Sequence, residues 1–440
     1  MKASSRVENV KRELYLVYTK ELSFELLFSS VQTNVNMKYP RGCRLLYGHP
    51  RKNVSAIFLC LLVLIALGVG ILKIAKAESA ENLTFFNFNF YTNGVQFKEP
   101  EYFNVDVPKD LGRENATLFT LVRNKELDGM LSSIKYVEER FNNRFHYDWV
   151  FMNDKPFTQD FKTNISAAVS GRAIFSEIPK EFWDVPEAID KKEMQRDMDF
   201  LAREQVLYAR KVTYRQMCRF NSGFFYKMPI MNNYQYYWRV EPYIRFNCDI
   251  SEDPFKIMRE EKSSYGFTMA LLEDRKAIRR LWSNTLEFFE TEHPEYVGKH
   301  NSVKFITHDS ETNTFEPRNY NLCHYWSNFE IADLAFFRSK EYEDYFQYLD
   351  ETGNFFYERW GDAPIHSLAV SYLLPFEKVH YFANTGYYHK PNFDCPSDPE
   401  IFNALHCKCE PARSFTNLPY SCVPLFLLAE HVDIEENSKA

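Results

Sequence analysis

Apolar residues with two different periods open the main body of this chain and predict an α/β sheet. Residues 116–122 (ATLFTLV) and 147–152 (YDWVFM) are short and apolar, as in buried strands, and polar residues follow each of them. Between them, residues 127–141 place Leu, Met, Ile and Val at helical spacing. Ligands of such sheets bind beyond the carboxyl ends of the strands, where Arg123 and Asn153 lie.

The later chain predicts further elements of the same fold. A third strand, 234–240 (YQYYWRV), runs into Glu241-Pro242. Because proline cannot continue a strand ladder, Glu241 is expected at the end of that strand. Helices are predicted at 191–209, 213–218, 269–289 and 340–350. No internal repeat is visible, so we expect one domain with elaborations.

One apolar run, residues 54–72, differs from these elements because no charge interrupts it. Its length is close to the roughly 20 residues that a helix needs to span a bilayer. Basic residues flank its amino side and place the N-terminus in the cytosol, although the small residues AKAESA (75–80) leave signal-peptide cleavage open. We expect a cytosolic tail (1–53), a transmembrane signal anchor (54–73), a stem (74–113) and a lumenal domain (114–440).

Charge and modification signals fit a lumenal protein that does not bind nucleic acid. The formal net charge is −7, and no long basic stripe is present. Three glycosylation sequons lie after the apolar run and begin at Asn82, Asn115 and Asn164. Seven of the nine cysteines also follow that run, and disulfides persist in such a compartment. Their odd number leaves at least one thiol unpaired.

Four of these cysteines lie close together in one loop-rich stretch: Cys395, Cys407, Cys409 and Cys422. We therefore predict a disulfide-stapled C-terminal region, with a zinc site as the alternative, although the spacing is not CxxC. The aromatic content of 17% is compatible with a sugar-binding cleft, in which pyranose rings stack on aromatic faces. Aromatic residues also build ordinary cores, so this figure alone does not identify a ligand.

Five long motifs make the chain similar to a known family. They are YRQMCRFNSGFFY (214–226), YYWRVEP (236–242), YNLCHYWSNFEIA (320–332), FFYERWGDAPIHS (355–367) and GYYHKP (386–391). In this order they closely resemble the fungal α-1,2-mannosyltransferase family of Golgi type II membrane proteins, which extend O-linked and N-linked mannans. The likeness covers residues 113–423.

The resemblance implies a fold, an activity and a location. The fold is a GT-A-like α/β glycosyltransferase fold, with a mixed central sheet flanked by helices, behind an N-terminal transmembrane helix in the Golgi membrane. The activity is a retaining transfer of mannose from GDP-mannose to mannosylated glycoprotein acceptors, with Mn2+ as cofactor. Two alternatives stay open: mannosylphosphate transfer from the same donor, and a non-catalytic Golgi scaffold or glycan-binding member in a complex with other mannosyltransferases.

The metal site implied by the resemblance consists of Glu241 and His389. Glu241 matches the acidic residue that serves the family in place of a DxD, and His389 matches the family's histidine ligand. A carboxylate and an imidazole leave coordination positions open for two phosphates, which suits manganese. The literal DxD of this chain, Asp197-Met198-Asp199, lies in a charged helical pattern, and we interpret it as a solvated helix face.

Two further carboxylates are the candidates for catalysis. Glu330 matches the residue that the family is proposed to place beneath the anomeric carbon. Retention by double displacement needs such a nucleophile, whereas a same-face route needs it only to stabilise positive charge; the sequence does not separate the two. Asp362 follows Gly361, which lets the backbone approach a ligand closely, and is the candidate for acceptor binding or for the base.

Four residues resemble family positions near the nucleotide: Arg123, Tyr214, Arg219 and Arg239. Arginine suits a diphosphate because its guanidinium binds in a bidentate manner, but a structural ion pair or core contact is the alternative for each. Two departures from the family pattern are Tyr243, where relatives usually have a small, polar or acidic residue, and Tyr-Tyr-His-Lys-Pro at 387–391. These departures predict an altered acceptor preference or metal affinity.

Overall fold

The computed structural model describes residues 94–107, 112–309, 312, 314–316 and 318–437. The predicted cytosolic tail, the transmembrane anchor and the sequon at Asn82 lie outside these residues, as does most of the stem. Among the described residues, no helix combines the length and the apolar character needed to cross a membrane. The other two sequon asparagines, Asn115 and Asn164, are exposed.

The strands of the described chain are β1 (Glu101–Phe103), β2 (Ala116–Leu121), β3 (Asp148–Asn153), β4 (Ala173–Glu177), β5 (Tyr236–Arg239), β6 (Arg245–Phe246), β7 (Tyr265–Phe267), β8 (Ala270–Leu272), β9 (His308–Asp309), β10 (Thr314–Phe315), β11 (Cys323–Tyr325), β12 (Glu330–Asp333), β13 (Val379–Tyr381), β14 (Tyr387–His389) and β15 (Asn392–Phe393).

The α-helices of the described chain are α1 (Leu127–Arg140), α2 (Gln159–Ala168), α3 (Lys180–Trp183), α4 (Lys191–Arg203), α5 (Val212–Gly223), α6 (Pro254–Glu260), α7 (Leu281–Glu287), α8 (Val303–Thr307), α9 (Leu334–Phe337), α10 (Lys340–Glu351), α11 (Asn354–Tyr357), α12 (Asp362–Leu373), α13 (Pro399–Ala404) and α14 (Val423–Asn437). Short 3-10 turns and one π turn connect several of them.

The central sheet is mixed, and its strand order is β1-β4-β3-β2-β5-β12-β7-β13. Strands β4, β3, β2 and β5 run parallel to one another, whereas β1 runs antiparallel to β4, and β12 runs antiparallel to both β5 and β7. Because β12 is inverted, its first residue, Glu330, pairs with Arg239, the last residue of β5. Residues far apart in sequence therefore meet at the carboxyl end of β5.

Each face of the sheet buries its own hydrophobic cluster. Along β3, Trp149 and Phe151 point to one face, and Val150 and Met152 point to the other. Helices cover both faces, so both sets of side chains are shielded from water. Burying each large apolar side chain contributes about 1.5–3 kcal/mol. The near-continuous apolar pattern of residues 147–152 is the pattern expected of a strand buried on both faces.

The predicted helix at 269–289 is wrong in its first half and confirmed from Leu281 onward. Residues Ala270–Leu272 form β8 instead, which pairs antiparallel with β11, and helix α7 begins only at Leu281. Strand pairing with a distant segment therefore overrides the local helical period. The predicted helix at 191–209 ends early, at Arg203, and Gln205 after it adopts a left-handed backbone with φ of +62°. The strands and helices predicted around 116–153 and 234–240 are confirmed within one or two residues.

Three disulfides confirm that the C-terminal region is stapled. They join Cys248 to Cys407, Cys323 to Cys422 and Cys395 to Cys409. Two of them tie the region to distant parts of the chain. The zinc alternative is wrong, because all four clustered cysteines are disulfide-bonded. The expected unpaired thiol is the buried Cys218.

Asp394 in this region makes the stability dependent on pH. Burial raises the pKa of its carboxyl from 3.8 to about 6, although Thr416 acts to lower it. The unfolded chain ionises more easily, so the stability from the protonated group is lost as pH rises from about 4 through about 6. We expect Asp394→Asn to be up to about 3 kcal/mol more stable than the parent at pH 7 and no more stable near pH 4. Urea unfolding at both pH values measures this, and equal effects at the two would contradict it.

Candidate active site

A pocket opens at the carboxyl ends of β2, β3 and β5, where the sequence predicts ligand binding. Its walls carry several polar side chains from these strand ends beside apolar residues of the neighbouring helices. The lining residues are Leu121, Val122, Arg123, Glu126, Asn153, Asp154, Trp183, Met217, Glu241 and Pro242. Arg123, Asn153 and Glu241 are therefore brought to one pocket, as their positions at strand ends predict.

Arg239 links the pocket to the interior behind it. Its Nε donates to Glu241 Oε1 at 2.6 Å, and its Nη1 donates to Asp362 Oδ2 at 2.5 Å. Ser327 Oγ donates to the same Asp362 oxygen at 2.7 Å. Arg239 ends β5, Asp362 is the first residue of α12, and Ser327 lies in the turn before β12. One guanidinium, 5% exposed, therefore fixes two carboxylates from different parts of the chain.

The charges in this cluster stabilise one another. Burial acts to lower the pKa of Arg239, but Asp362, Glu241 and Glu330 raise it well above its ordinary value. Burial acts to raise the pKa of Asp362, yet Arg239 holds it below the ordinary range. Asp362 is therefore an anion and Arg239 a cation. A buried ion pair of this kind is costly to break by removing one partner.

His389 lies at the end of β14, within electrostatic reach of Glu241. Burial lowers the pKa of His389, and the Glu241 carboxylate acts to raise it. Its Nδ1 is buried with no partner at hydrogen-bond distance, although the Lys390 backbone lies close enough to affect its pKa. The imidazole edge packs against Trp326, with ring centroids 5.3 Å apart. A neutral imidazole with an unused nitrogen beside a carboxylate fits a divalent cation.

A cation at this position would draw only part of its coordination from the protein. Among the residues that the structure describes, no group of three or more His, Cys, Asp or Glu side chains is arranged to hold a metal ion. Two protein ligands, Glu241 and His389, would leave further positions for oxygens of a bound molecule. Phosphate oxygens are such ligands, and hard divalent cations accept them readily.

Glu330 is 1% exposed and has both carboxylate oxygens occupied. Tyr237 donates to Oε1, and Tyr265 donates to Oε2 at 2.6 Å. His366 Nδ1 lies 2.7 Å from Oε2, while its Nε2 lies 3.1 Å from the carbonyl oxygen of Asn221. Glu330 also faces the Arg239 guanidinium across the β5–β12 pair. Glu330 therefore influences the Arg239 cluster from the β12 side and is not among the residues that line the open pocket.

Tyr214 lies in a second polar group next to Asp362. Arg359 donates to the Tyr214 hydroxyl at 3.2 Å and to Glu273 Oε1 at 2.9 Å. The Tyr214 ring also stacks on Tyr208, with centroids 4.7 Å apart. Burial raises the pKa of Tyr214 well above its ordinary value, and nearby Asp362 acts in the same direction. The phenol therefore stays protonated and can donate a hydrogen bond.

Arg219 is not brought to the site, unlike Arg123. Its guanidinium makes a bidentate ion pair with Asp350 at 2.6 and 2.7 Å and lies over the Phe224 ring. The structural alternative for Arg219 is therefore correct in this structure, because α5 turns this side chain toward α10. Arg123 is 40% exposed at its side chain and lies only 3.7 Å from Glu126, so it remains accessible to a ligand.

The literal DxD lies on helix α4, as interpreted from its charged pattern. Asp199 pairs with Arg210 at 3.0 Å, and 40% of its side chain is exposed. None of the hydrogen bonds described for Asp199 reaches the pocket residues. Asp197 and Asp199 are therefore an acidic pair that lies outside the site.

Both departures from the family pattern lie beside the site. Tyr243, two residues after Glu241, is 61% exposed, and its ring covers Gly129, where an added Cβ would clash at 2.4 Å. Tyr388, next to His389, has its ring beneath the Arg245 guanidinium at 3.9 Å. Tyr243 and Tyr388 therefore each make a contact of their own that does not involve the side chains of Glu241 and His389.

Sequence reasoning missed three residues that hold the site together: Ser327, Tyr237 and His366. Two of them carry a usable signal. Tyr237 is two residues before Arg239 and so shares its strand face, and His366 is four residues after Asp362 and so shares its helix face. Ser327 lies inside a motif already singled out, but only the inverted β12 shows that it faces Asp362.

Replacing Arg239 tests how much the cluster depends on it. Arg239→Gln leaves buried carboxylates without their cation, so we expect the free energy of unfolding at pH 7 to fall by about 3–5 kcal/mol. Arg239 lowers the pKa of Asp362, so this pKa rises without the guanidinium, and the loss should shrink as pH falls and Asp362 protonates. Urea unfolding gives both values. Arg259→Gln, at an exposed pair with Glu114, is the control and should change stability much less; an equal loss in both variants would contradict the assignment.

Comparison with known proteins identifies close relatives. The family model described as glycolipid 2-alpha-mannosyltransferase matches residues 75–431. Over 327 residues the chain is 46% identical to alpha-1,2 mannosyltransferase KTR1 of Saccharomyces cerevisiae, covering 74% of this chain and 81% of that protein. It is also 46% identical over 307 residues to glycolipid 2-alpha-mannosyltransferase 1 of Candida albicans, covering 70% of each.

Solved structures share the fold. Core-mannan synthase A (CmsA/Ktr4) of Aspergillus fumigatus in its Mn/GDP form matches with a TM-score of 0.67 and 41% identity, covering 72% of this chain and 85% of that one. The mannosyltransferase Ktr4p of S. cerevisiae in complex with GDP matches with a TM-score of 0.68 and 34% identity, covering 79% and 91%. The mixed α/β glycosyltransferase fold with a central sheet is thereby confirmed.

Proposed function

Because this chain belongs to the glycolipid 2-alpha-mannosyltransferase family and is a mannosyltransferase, we propose that it transfers mannose from GDP-mannose to mannose-terminated O- or N-linked glycans. The linkage formed is α-1,2, and the transfer retains the anomeric configuration. The observation that carries this proposal is the arrangement of Glu241, oriented by Arg239, beside the unpartnered nitrogen of His389. A relative 41% identical to this chain was solved in a Mn/GDP form, which supports the same ligands here.

The donor binds at the strand-end pocket. Glu241 and His389 hold Mn2+, which neutralises the diphosphate leaving group when bound. Arg123 lines the same pocket with an accessible guanidinium and binds a phosphate oxygen. Arg239 uses its Nε and Nη1 donors on Glu241, Asp362 and Ser327. It fixes the orientation of the Glu241 carboxylate.

Asp362 binds the acceptor. Its low pKa keeps it ionised, and a carboxylate of low pKa is a weak general base but a good acceptor of a sugar hydroxyl hydrogen bond. Tyr214 lies within electrostatic reach of Asp362, and Arg359 donates a hydrogen bond to its hydroxyl. Its protonated phenol can donate to the same acceptor sugar. The sugar donor is therefore bound at Glu241 and the acceptor sugar at Asp362.

Retention follows a same-face route. Double displacement would need a Glu330 oxygen free to attack, but both oxygens accept hydrogen bonds and the side chain is 1% exposed. Glu330 instead stabilises the positive charge that develops at the anomeric carbon, together with the anionic Asp362. The bond between the anomeric carbon and the diphosphate oxygen breaks, the acceptor hydroxyl oxygen bonds to that carbon on the same face of the sugar, and the hydroxyl proton passes to the leaving diphosphate.

The protein works in the Golgi lumen as a single-pass type II membrane protein. The charge-free run at 54–72 with its basic amino flank supports the anchor and its orientation. Three disulfides and two exposed sequon asparagines, Asn115 and Asn164, are compatible with a lumenal domain. Mannosylated glycoproteins in that compartment are the acceptors.

Nucleotide release tests this proposal. The full-length chain is incubated with Mn2+, GDP-mannose and an α-mannobiose acceptor, and released nucleotide and product linkage are measured. We expect GDP and a new α-1,2 linkage; GMP instead would establish mannosylphosphate transfer, and no nucleotide would favour a scaffold. Glu241→Gln and His389→Gln should each lower kcat/KM by about 100-fold, because each removes a metal ligand.

The DxD on α4 supplies the matched control. Asp199→Asn removes a carboxylate of the same kind from an exposed helix face, so its kcat/KM should equal that of the parent. Activity lost in Asp199→Asn but kept in Glu241→Gln would move the metal site to the DxD and contradict the assignment to Glu241.

A further inference from the structure

The imidazole of His366 joins Glu330 to helix α5. His366 lies on α12 and is fully buried, with Nδ1 2.7 Å from Glu330 Oε2 and Nε2 3.1 Å from the carbonyl oxygen of Asn221. The two contacts fix the orientation of the ring, since rotating it by 180° about χ2 would lose both. The neighbouring rings of Phe337 and Tyr342 hold it from the sides.

The Asn221 contact decides where one proton sits. A backbone carbonyl only accepts hydrogen bonds, so Nε2 must carry a hydrogen to make this contact favourable. A neutral imidazole protonated at Nε2 has a bare Nδ1, and that bare nitrogen would then face a carboxylate oxygen at 2.7 Å. The other neutral tautomer would place a bare Nε2 against the Asn221 oxygen. Because both side chains are buried, each of these arrangements opposes two lone pairs without relief from solvent.

We propose that Glu330 and His366 share one additional proton between Oε2 and Nδ1, and that His366 is a positioning residue for mannosyl transfer. With this proton the pair is net neutral, whether the proton is nearer to the oxygen or to the nitrogen. Every polar atom of the pair then has a partner of the correct kind: two phenols and the shared proton on Glu330, and the Asn221 oxygen on Nε2. The positioning role rests on the proposed function, whereas the shared proton does not.

The surrounding charges favour a neutral pair. The ionisable groups that face it are Tyr237 and Arg239 on β5, Tyr265 on β7, Asp362 on α12 and Tyr342 on α10. The three tyrosines are neutral, because burial raises the pKa of each well above its ordinary value. Arg239 is already paired with two carboxylates, Glu241 and Asp362. An unprotonated pair would add a third carboxylate to one guanidinium in the interior.

The shared proton gives Glu330 a defined part in the reaction. A carboxylate that shares its proton and accepts two phenol hydrogen bonds is a poor nucleophile, which agrees with the same-face route. As positive charge develops at the anomeric carbon, the proton moves from Oε2 toward Nδ1, and negative charge grows on Glu330. No water and no outside base is needed for this response.

Nitrogen NMR of the full-length chain carrying 15N-labelled histidine tests the shared proton directly. We expect His366 to show a protonated Nε2 and a strongly downfield proton bonded at Nδ1, and both signals to be absent from His366→Asn. Absence of the downfield proton, with an Nδ1 nitrogen shift typical of a bare nitrogen at neutral pH, would overturn the proposal, as would an unprotonated Nε2. This readout does not depend on transfer, so it holds or fails separately from the proposed function.

Kinetics of His366→Asn test the positioning role. Asparagine can still donate one hydrogen bond toward Glu330 but cannot share a proton with it. We expect kcat to fall by at least about 10-fold while the KM for GDP-mannose changes by less than about 3-fold. Loss of the shared proton should also produce an alkaline decline in the parent's kcat, and this decline should disappear from the variant.

Tyr342→Phe is the matched control for packing. Tyr342 adjoins His366, and its hydroxyl donates to the Ser222 carbonyl of α5 at 2.7 Å. Loss of this hydroxyl therefore removes one buried hydrogen bond to α5, as His366→Asn does. Tyr342→Phe should keep the parent's kcat and alkaline decline. If His366→Asn behaved as Tyr342→Phe does, the positioning role would be wrong. If the parent itself released no GDP, the proposed function would fail, and the NMR result would still decide the shared proton.

Discussion

The ion pairs of Arg239 are the interaction on which the rest of this site depends. One buried guanidinium at the end of β5 holds both Glu241, which lines the pocket, and Asp362 at the start of α12. Burial of the charged groups of Arg239 and Asp362 is expensive, and the pairing offsets that cost only while the geometry is kept. The strand end, the first turn of α12 and the turn before β12 are therefore locked together. This gives the pocket a rigid wall.

The inverted strand β12 extends this wall into the sheet. Its antiparallel pairing places Glu330 opposite Arg239, and α12 then supplies both Asp362 and His366 from one helix face. The result is a continuous polar layer between the pocket and the hydrophobic core, from Glu241 to Asn221. Such a layer is stable only when all members are satisfied, which explains why tyrosines and a histidine surround Glu330.

How much of this could be read from the sequence differs from residue to residue. Glu241 could be placed at a strand end because Pro242 stops the ladder, and Arg123 because polar residues follow an apolar run. The choice between Arg239 and Arg219 could not be made, since both lie in aromatic motifs. The difference depends on the orientation of α5 relative to α10, because α5 turns the Arg219 side chain toward Asp350 on α10. The helix predicted over β8 failed for the same reason, because its partner strand β11 is about 50 residues away.

Donor binding, metal dependence and the orienting role of Arg239 all depend on a metal site formed by Glu241 and His389. It is tested most directly by anomalous X-ray scattering at the manganese edge from crystals of the protein grown with Mn2+ and GDP. The account predicts one strong peak in contact with both the Glu241 carboxylate and the His389 imidazole, with remaining ligands from the diphosphate. A peak at Asp197 and Asp199, or one that touches neither Glu241 nor His389, would contradict it.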